Sequence, residues 1–172
     1  MKYLPLALFI IVLMACGPNS SQMGDKSKDP GDSATNAPTA LTVRPIEGYF
    51  VKNTIKQNDS VTCWLISSVV EQDSILGMAK TMTNTIDTID FSREIIAAVV
   101  LRPSELTQSI RLASSEITDD EVRLHFAIKA DTPKRTFTAA ALWMAAFPKT
   151  PAVKAVKFYN GDKLMRTLDV AK

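Results

Sequence analysis

Ile95-Ile96-Ala97-Ala98-Val99-Val100-Leu101 is the stretch that decides the fold. It is continuously apolar and partly β-branched, and Pro103 follows two residues later. A run this short and this uniform reads as a central strand covered on both faces, ended by the proline. Ile89 and Phe91 open the strand region before it. After it, Ile110 and Leu112 alternate with Ser109, Arg111 and Ala113. Beyond the polar Asp119-Asp120 the alternation is clean. Val122, Leu124, Phe126 and Ile128 share one face, and Arg123, His125, Ala127 and Lys129 share the other. Period-2 patterning of this kind marks an antiparallel strand with one face on a core, so the two runs are expected to form a hairpin.

Further along, Asp131 to Arg135 reads as a loop around Pro133. Phe137 to Phe147 is alanine-rich, but its threonines and bracketing prolines favour strand over helix. Val153–Tyr159 and Leu164–Val170 flank Asn160-Gly161, a dipeptide suited to the positive φ angles of a tight hairpin turn. Towards the amino terminus, Glu47 to Ile55 and Val61 to Ile66 are strand candidates separated by Gln57-Asn58-Asp59-Ser60. Ser68-Val69-Val70-Glu71 is a capping box, and Gly77 is a natural helix stop. Met78 to Thr85 reads as a loop. The expected fold class is α+β: mainly an antiparallel β-sheet of about six to eight strands, with one short helix near the start of the domain.

Residues 1–40 have a different character. Lys2 precedes the apolar run Leu4–Met14, which is too short to span a bilayer and suits a signal-peptide core. Leu13-Met14-Ala15-Cys16 resembles the lipobox of bacterial lipoproteins. The resemblance implies diacylglyceryl transfer to the Cys16 thiol and cleavage before it, leaving Cys16 as an acylated first residue. Several acyl chains at one end anchor a protein durably. Gly17 to Ala40 is rich in Gly, Pro, Asn, Ser and Asp, with Met23 its only large apolar residue. Such a segment cannot bury enough surface to offset the entropy of ordering, so a linker spanning roughly 25–30 Å is expected. The organisation read from the sequence is therefore a signal peptide over residues 1–15, a lipidated cysteine and linker over 16–40, and one domain over 41–172. Gly17 is not the aspartate that resembles an inner-membrane retention signal. The chain is accordingly expected on the outer membrane facing the periplasm, if the envelope is Gram-negative.

Two broader resemblances follow. The capped segment after Cys63-Trp64-Leu65-Ile66, then Asp90-Phe91-Ser92 leading into the apolar strand, resembles the carboxy-terminal domain of bacterial protease-complex accessory lipoproteins. Members of that family often continue with a proline-threonine-glycine-glycine-tyrosine turn. Here the same place holds Arg102, Pro103, Ser104, Glu105, Leu106, Thr107 and Gln108, which keep only the proline. The whole chain also resembles the short lipoproteins common in Bacteroidetes-type bacteria.

Composition narrows the chemistry. A net charge of +2 attracts neither nucleic acid nor anionic lipid strongly. Cys63 is the second cysteine of two, so lipidation of Cys16 removes any intramolecular disulfide, and Cys63 reads as a small buried hydrophobe. His125 is the single histidine. No Gly-x-Ser-x-Gly, zinc ligand set or phosphate-cradling glycine loop is present, so no catalytic residue, metal or cofactor is expected. Asp119-Asp120-Glu121 reads as a solvated turn, and Asp87, Asp90 and Glu94 as ordinary polar positions. Lys129, Lys134, Arg135, Lys149, Lys154 and Lys157 make the second half basic, a solvated face or a contact for acidic partners.

Recognition is therefore expected at the loop Arg102–Gln108, or at whichever of Tyr49, Phe50, Trp64 and Trp143 stands exposed. The favoured function is a membrane-anchored, non-enzymatic binding or accessory module for another envelope protein, such as a protease complex. The alternative is a small-ligand or glycan-binding lipoprotein serving an uptake system, which calls for a cavity lined by aromatics with inward polar groups. A hydrolase would require a cleft pairing His125 with a serine or carboxylate.

Overall fold

In the computed structural model, the apolar run lies at the start of strand β6, Glu94–Thr118. The side chains from Ile95 to Leu101 are all buried. Strand β4, Val61–Ile66, pairs antiparallel on one side, and strand β7, Glu121–Pro148, on the other. Because side chains alternate across a strand, the run serves two cores. Ile95, Ala97 and Val99 pack with Cys63, Phe147 and Phe158. Ile96 and Ala98 pack with Ile66, Met144 and Ala146. The structure describes residues 37–80, 83 and 85–170. The expected signal peptide, Cys16 and most of the expected linker lie outside the described residues.

Pro103 does not end the strand. β6 and β7 form one very long hairpin, and the proline marks a fault in its ladder. Register shifts separate Leu101 from Ser104, Ser104 from Leu106 and Leu106 from Thr107. β7 takes eight steps from Asp131 to Ala139 where β6 takes three from Ser104 to Thr107. Pro103 lacks the N–H that a ladder requires, and an irregularity is where a strand tolerates that lack. The segments read as loops, Arg102–Gln108 and Asp131–Arg135, are thus the two sides of this fault within the strands. The peptide bond between Thr132 and Pro133 is cis.

At the fault the hairpin doubles over. Phe126 and Trp143 sit on the same strand, and a straight strand would hold them about 55 Å apart. Their rings instead meet edge to face at 4.7 Å. Val122, Leu124 and Phe126, from beyond the fault, join Ile95, Ala97 and Val99, from before it, in one core. Two strands therefore supply both layers of a sandwich, as happens where strands turn a corner through bulges. The expected turn at Asp119-Asp120 closes the hairpin, with Asp119 at φ 53°.

Strand β8, Ala155–Asn160, pairs with the start of β7, and strand β9, Lys163–Asp169, pairs with β8. The first of these pairings is parallel, so the sheet is mixed rather than purely antiparallel. Parallel neighbours need a crossover of a dozen or more residues. The returning half of β7 is that crossover, so no helix is required.

The pairs β1, Thr39–Ala40, against β6 and β2, Arg44–Pro45, against β7 complete a seven-stranded sheet. Thr39 and Ala40, read as the end of the linker, are thus part of the sheet. A separate two-stranded sheet joins β3, Tyr49–Val51, to β5, Leu76–Met78. Among the described residues the single helix, α1, spans Val69–Ile75. It follows four strands rather than opening the domain. Two of those strands, β3 and β4, fall within segments read as strands, whereas β1 and β2 are too short to show a periodicity. Ser68 caps α1 as expected, accepting from the Glu71 N–H at 3.2 Å, while Glu71 reaches back to the Ser67 N–H at 2.7 Å. Gly77 is not the helix stop, because Leu76 is already extended and Gly77 lies in β5. Ile89 and Phe91 are not in a strand, yet both pack on the second core from a turn-rich segment.

Candidate functional site

β3 and the turn after it form one wall of a cavity of about 600 Å³. Lys52 N–H donates to the Ile75 carbonyl at the end of α1, and Ile55 N–H donates to the Lys52 carbonyl, so the chain turns there. Tyr49 donates its hydroxyl to the Asp87 carbonyl at 2.9 Å. The opposite wall is Pro103 with Thr138, Ala139, Ala140 and Leu142. Pro103 and Thr138–Ala140 lie at the fault, where the two long strands stop matching each other, and Leu142 pairs with Val100 just before it.

Tyr49 and Phe50 are the aromatic residues of the lining. The partner of Phe50 across the two-stranded sheet is Gly77, and a Cβ added there would fall 2.4 Å from the ring. Glycine is what lets the ring lie flat on the backbone of β5. Phe50 remains 46% exposed. Gln57 also lines the cavity, while its Oε1 is buried from solvent without a hydrogen-bond partner. Lys52 is the only ionisable cation among the lining residues, and its ammonium donates to the Asp73 carbonyl.

Of the seven residues Arg102–Gln108, only Pro103 lines this cavity. Several of the others knit the fault together. Ser104 Oγ accepts from Leu106 N–H, Thr107 donates to the Pro133 carbonyl, and Gln108 donates to the Arg102 carbonyl. Among the four aromatics singled out, Phe50 is exposed, while Tyr49, Trp64 and Trp143 pack against the cores. Phe137 was not singled out. It is 61% exposed beside the fault, with the Arg135 guanidinium 5.8 Å above its ring.

A second cavity, of about 520 Å³, lies at the far end of β7. Ile95, Phe147, Val153 and Val170 make its wall largely apolar. The ammonium of Lys154 is held by Asp120 at 2.7 Å, and that of Lys149 donates to the Phe91 and Ser67 carbonyls.

The remaining polar candidates serve the fold. His125 lies 3.0 Å from the Gly161 carbonyl through Nδ1 and stacks on Tyr159 at 4.5 Å. Asp120 is bound by Lys154, whose hydrogen bond and charge hold the carboxyl below its usual range and raise the lysine in turn. Glu121 pairs with Lys157 and Arg123. Asp87 accepts from Glu47 N–H, and Glu94 pairs with Arg44 at 2.7 Å. Asp90 accepts from both the hydroxyl and the N–H of Ser92, which lowers its carboxyl. Among the described residues no group of three or more His, Cys, Asp or Glu could hold a metal. Cys63 is buried, and that desolvation pushes its thiol up to about 11. Among the described residues, no helix is long and apolar enough to cross a membrane.

The chain matches no family model, no curated protein and no solved structure.

Proposed function

We propose that this chain is a lipid-anchored, non-enzymatic ligand-binding module of the bacterial envelope, tethered through Cys16 and binding at the cavity beside Phe50. The anchor rests on Leu13-Met14-Ala15-Cys16. The binding reading is carried by one observation: β3 and the ladder fault border a cavity of about 600 Å³ whose lining mixes Tyr49 and Phe50 with the polar side chains of Asn53, Gln57 and Thr138. The cavity is within the usual size of small-molecule sites. A thermal-shift screen of the full chain in phospholipid nanodiscs tests this. A ligand whose stabilisation disappears in Gln57→Leu supports the reading, and a diverse screen with no stabilising ligand refutes it.

The accessory-module reading keeps a foothold in Phe137. An exposed aromatic at a strand corner, with a guanidinium over it, suits a protein contact. Crosslinking in native envelopes tests it. One reproducible partner that is lost in Phe137→Ala favours this reading over the first.

A further inference from the structure

We infer that the open edge of β6 between Thr107 and Ala113 is a strand-addition site, taking an extended segment of another protein that carries a carboxylate opposite Arg111. The inference goes beyond the cavity beside β3 and rests on a different observation.

From Thr107 to Leu112, β6 pairs with β7 without a break, in the register Thr107–Asp131 to Leu112–Phe126. Its other side is a sheet edge. β4 covers β6 only over Ile96–Leu101, and β1 only at Glu116 and Ile117. The Leu41 N–H adds one bond, to the Ser115 carbonyl. Among the described residues, no backbone hydrogen bond reaches that side of Thr107–Ala113. Alternate residues of a strand turn their N–H and C=O to the same side. The edge therefore presents a row of donors and acceptors at strand spacing, and an extended backbone is what matches such a row along its length.

β1 shows that this edge accepts a strand. Thr39 and Ala40 occupy its first two places, antiparallel to β6. The chain then leaves it, because Arg44 and Pro45 pair with β7 instead. Proteins commonly protect an open edge with proline or lysine. Thr107–Ala113 holds neither. Its one irregularity is the register shift at Ala113, at the end nearest β1.

The side chains set the partner's chemistry. Ile110 and Leu112 are half-buried against the first core, so apolar residues of an added strand would extend that core. Thr107, Ser109 and Arg111 alternate with them and are exposed. Ser109 faces Lys129 and Arg111 faces Ala127, which makes Arg111 and Lys129 diagonal neighbours on that outer face. Among the described residues neither cation forms an ion pair, not even with Asp131 two residues along β7 from Lys129. A carboxylate on the added strand would complement both. The favoured segment thus alternates apolar and acidic residues. A second copy is a poorer occupant, because antiparallel pairing of two β6 edges brings both Arg111 side chains onto one face, where like charges repel.

The test uses the full chain in phosphatidylcholine nanodiscs and backbone hydrogen exchange read by mass spectrometry. The probe is a short capped peptide of alternating valine and glutamate. One control peptide carries lysine for glutamate, and another is N-methylated throughout, which removes its backbone donors. The expected result is slower exchange over Thr107–Ala113 with the glutamate peptide, at least tenfold weaker binding of the lysine peptide, and no binding of the N-methylated one. Arg111→Glu should reverse the order of the two charged peptides. Arg111 is exposed, and far-UV circular dichroism of the variant verifies the fold. Binding that survives N-methylation, protection confined to other segments, or binding of neither charged peptide overturns the inference. Protection of the same amides without peptide, rising with chain concentration, also overturns it in favour of a second copy. Gln57→Leu should leave peptide binding unchanged, so the cavity reading stands or falls separately.

Discussion

Replacing Gly77 by alanine adds a methyl group where the structure has no room. The new Cβ would lie 2.4 Å from Cζ of Phe50 and under 3 Å from both Cε atoms. Carbon atoms pack comfortably at about 3.5–4.0 Å, so the overlap exceeds 1 Å, by roughly that comparison. Two responses are open. β3 and β5 can separate, which sacrifices backbone hydrogen bonds, or the Phe50 ring can swing off the strand. The ring is already 46% exposed, so the second is cheaper. It forfeits roughly half of the 1.5–3 kcal/mol that full burial of a phenylalanine is worth, or about 0.8–1.5 kcal/mol. Against this, alanine restricts the unfolded chain and returns about 0.4–1 kcal/mol where its backbone conformation is compatible. Gly77 does not have a positive φ, so it is compatible.

The expected net loss for Gly77→Ala is therefore below about 1 kcal/mol, and its size alone decides little. A double-mutant cycle decides more. In a Phe50→Ala background the overlap is gone, and Gly77→Ala should be neutral or stabilising by roughly 0.5 kcal/mol. The coupling between the two positions should be about 1 kcal/mol, read from urea unfolding of the four proteins. Equal effects of Gly77→Ala in both backgrounds would refute the claim that glycine exists here to seat the ring.

Cys63 has a thiol pushed up to about 11 by burial, so the folded chain keeps its proton where the unfolded chain loses it. That contribution is complete below the ordinary thiol pKa and is lost as pH rises towards 11, by roughly 2–3 kcal/mol in all. Unfolding of Cys63→Ala should show a flatter alkaline limb than the parent, and identical limbs would sink the idea. Phe126→Ala should cost about 3–5 kcal/mol, since that ring is fully buried between Trp143 and Phe158. A loss under about 1.5 kcal/mol, typical of simple surface relief rather than cavity formation, would mean that the doubled hairpin does not depend on it. Cys16→Ser should release the chain from membranes and stop incorporation of labelled palmitate. Retention of the variant in washed membranes would contradict anchoring through Cys16.

Some of this molecule could be read from its residues because the signal is local. Val61–Ile66 coincides with β4, since a β-branched and aromatic run says strand whatever lies around it. The alternation Val122-Leu124-Phe126 names the residues of the first core, because period 2 encodes the face directly. The Ser68 cap needs only four residues to be recognised. Asn160-Gly161 marked the last hairpin but not its register. The pairing is Asn160 with Lys163, so Gly161 and Asp162 are the central residues, and only Gly161 has positive φ, at 57°. Asn160 instead spends its side chain on the Ile128 N–H at 3.3 Å, a partner that no local pattern could reveal. Proline and glycine misled for a related reason. Pro103 and Gly77 were read as ends of elements, which is their usual local meaning. Here each is an accommodation to something remote, a ladder fault for Pro103 and an aromatic ring for Gly77. The cavity itself was beyond reach, because Gln57 and Thr138 meet only after the long hairpin has folded back.

The doubling of that hairpin links the fold to the proposed site. A straight pair of strands as long as β6 and β7 would bury little, since most of its length would have no opposite layer. Folding it over gives each half the other as its cover, and the Phe126–Trp143 contact records the result. But a sharp corner cannot keep a regular ladder. Some backbone groups must leave the pairing, and side chains at the corner lose their cross-strand neighbours. Ser104, Thr107 and Gln108 repair part of the deficit with side-chain hydrogen bonds. Where repair is incomplete there is room, and Pro103 with Thr138–Ala140 borders it. The cavity is thus a geometric consequence of making two layers from two strands. What the sequence adds is its furnishing: a glycine that seats Phe50, and the polar side chains of Asn53, Gln57 and Thr138 among the lining residues.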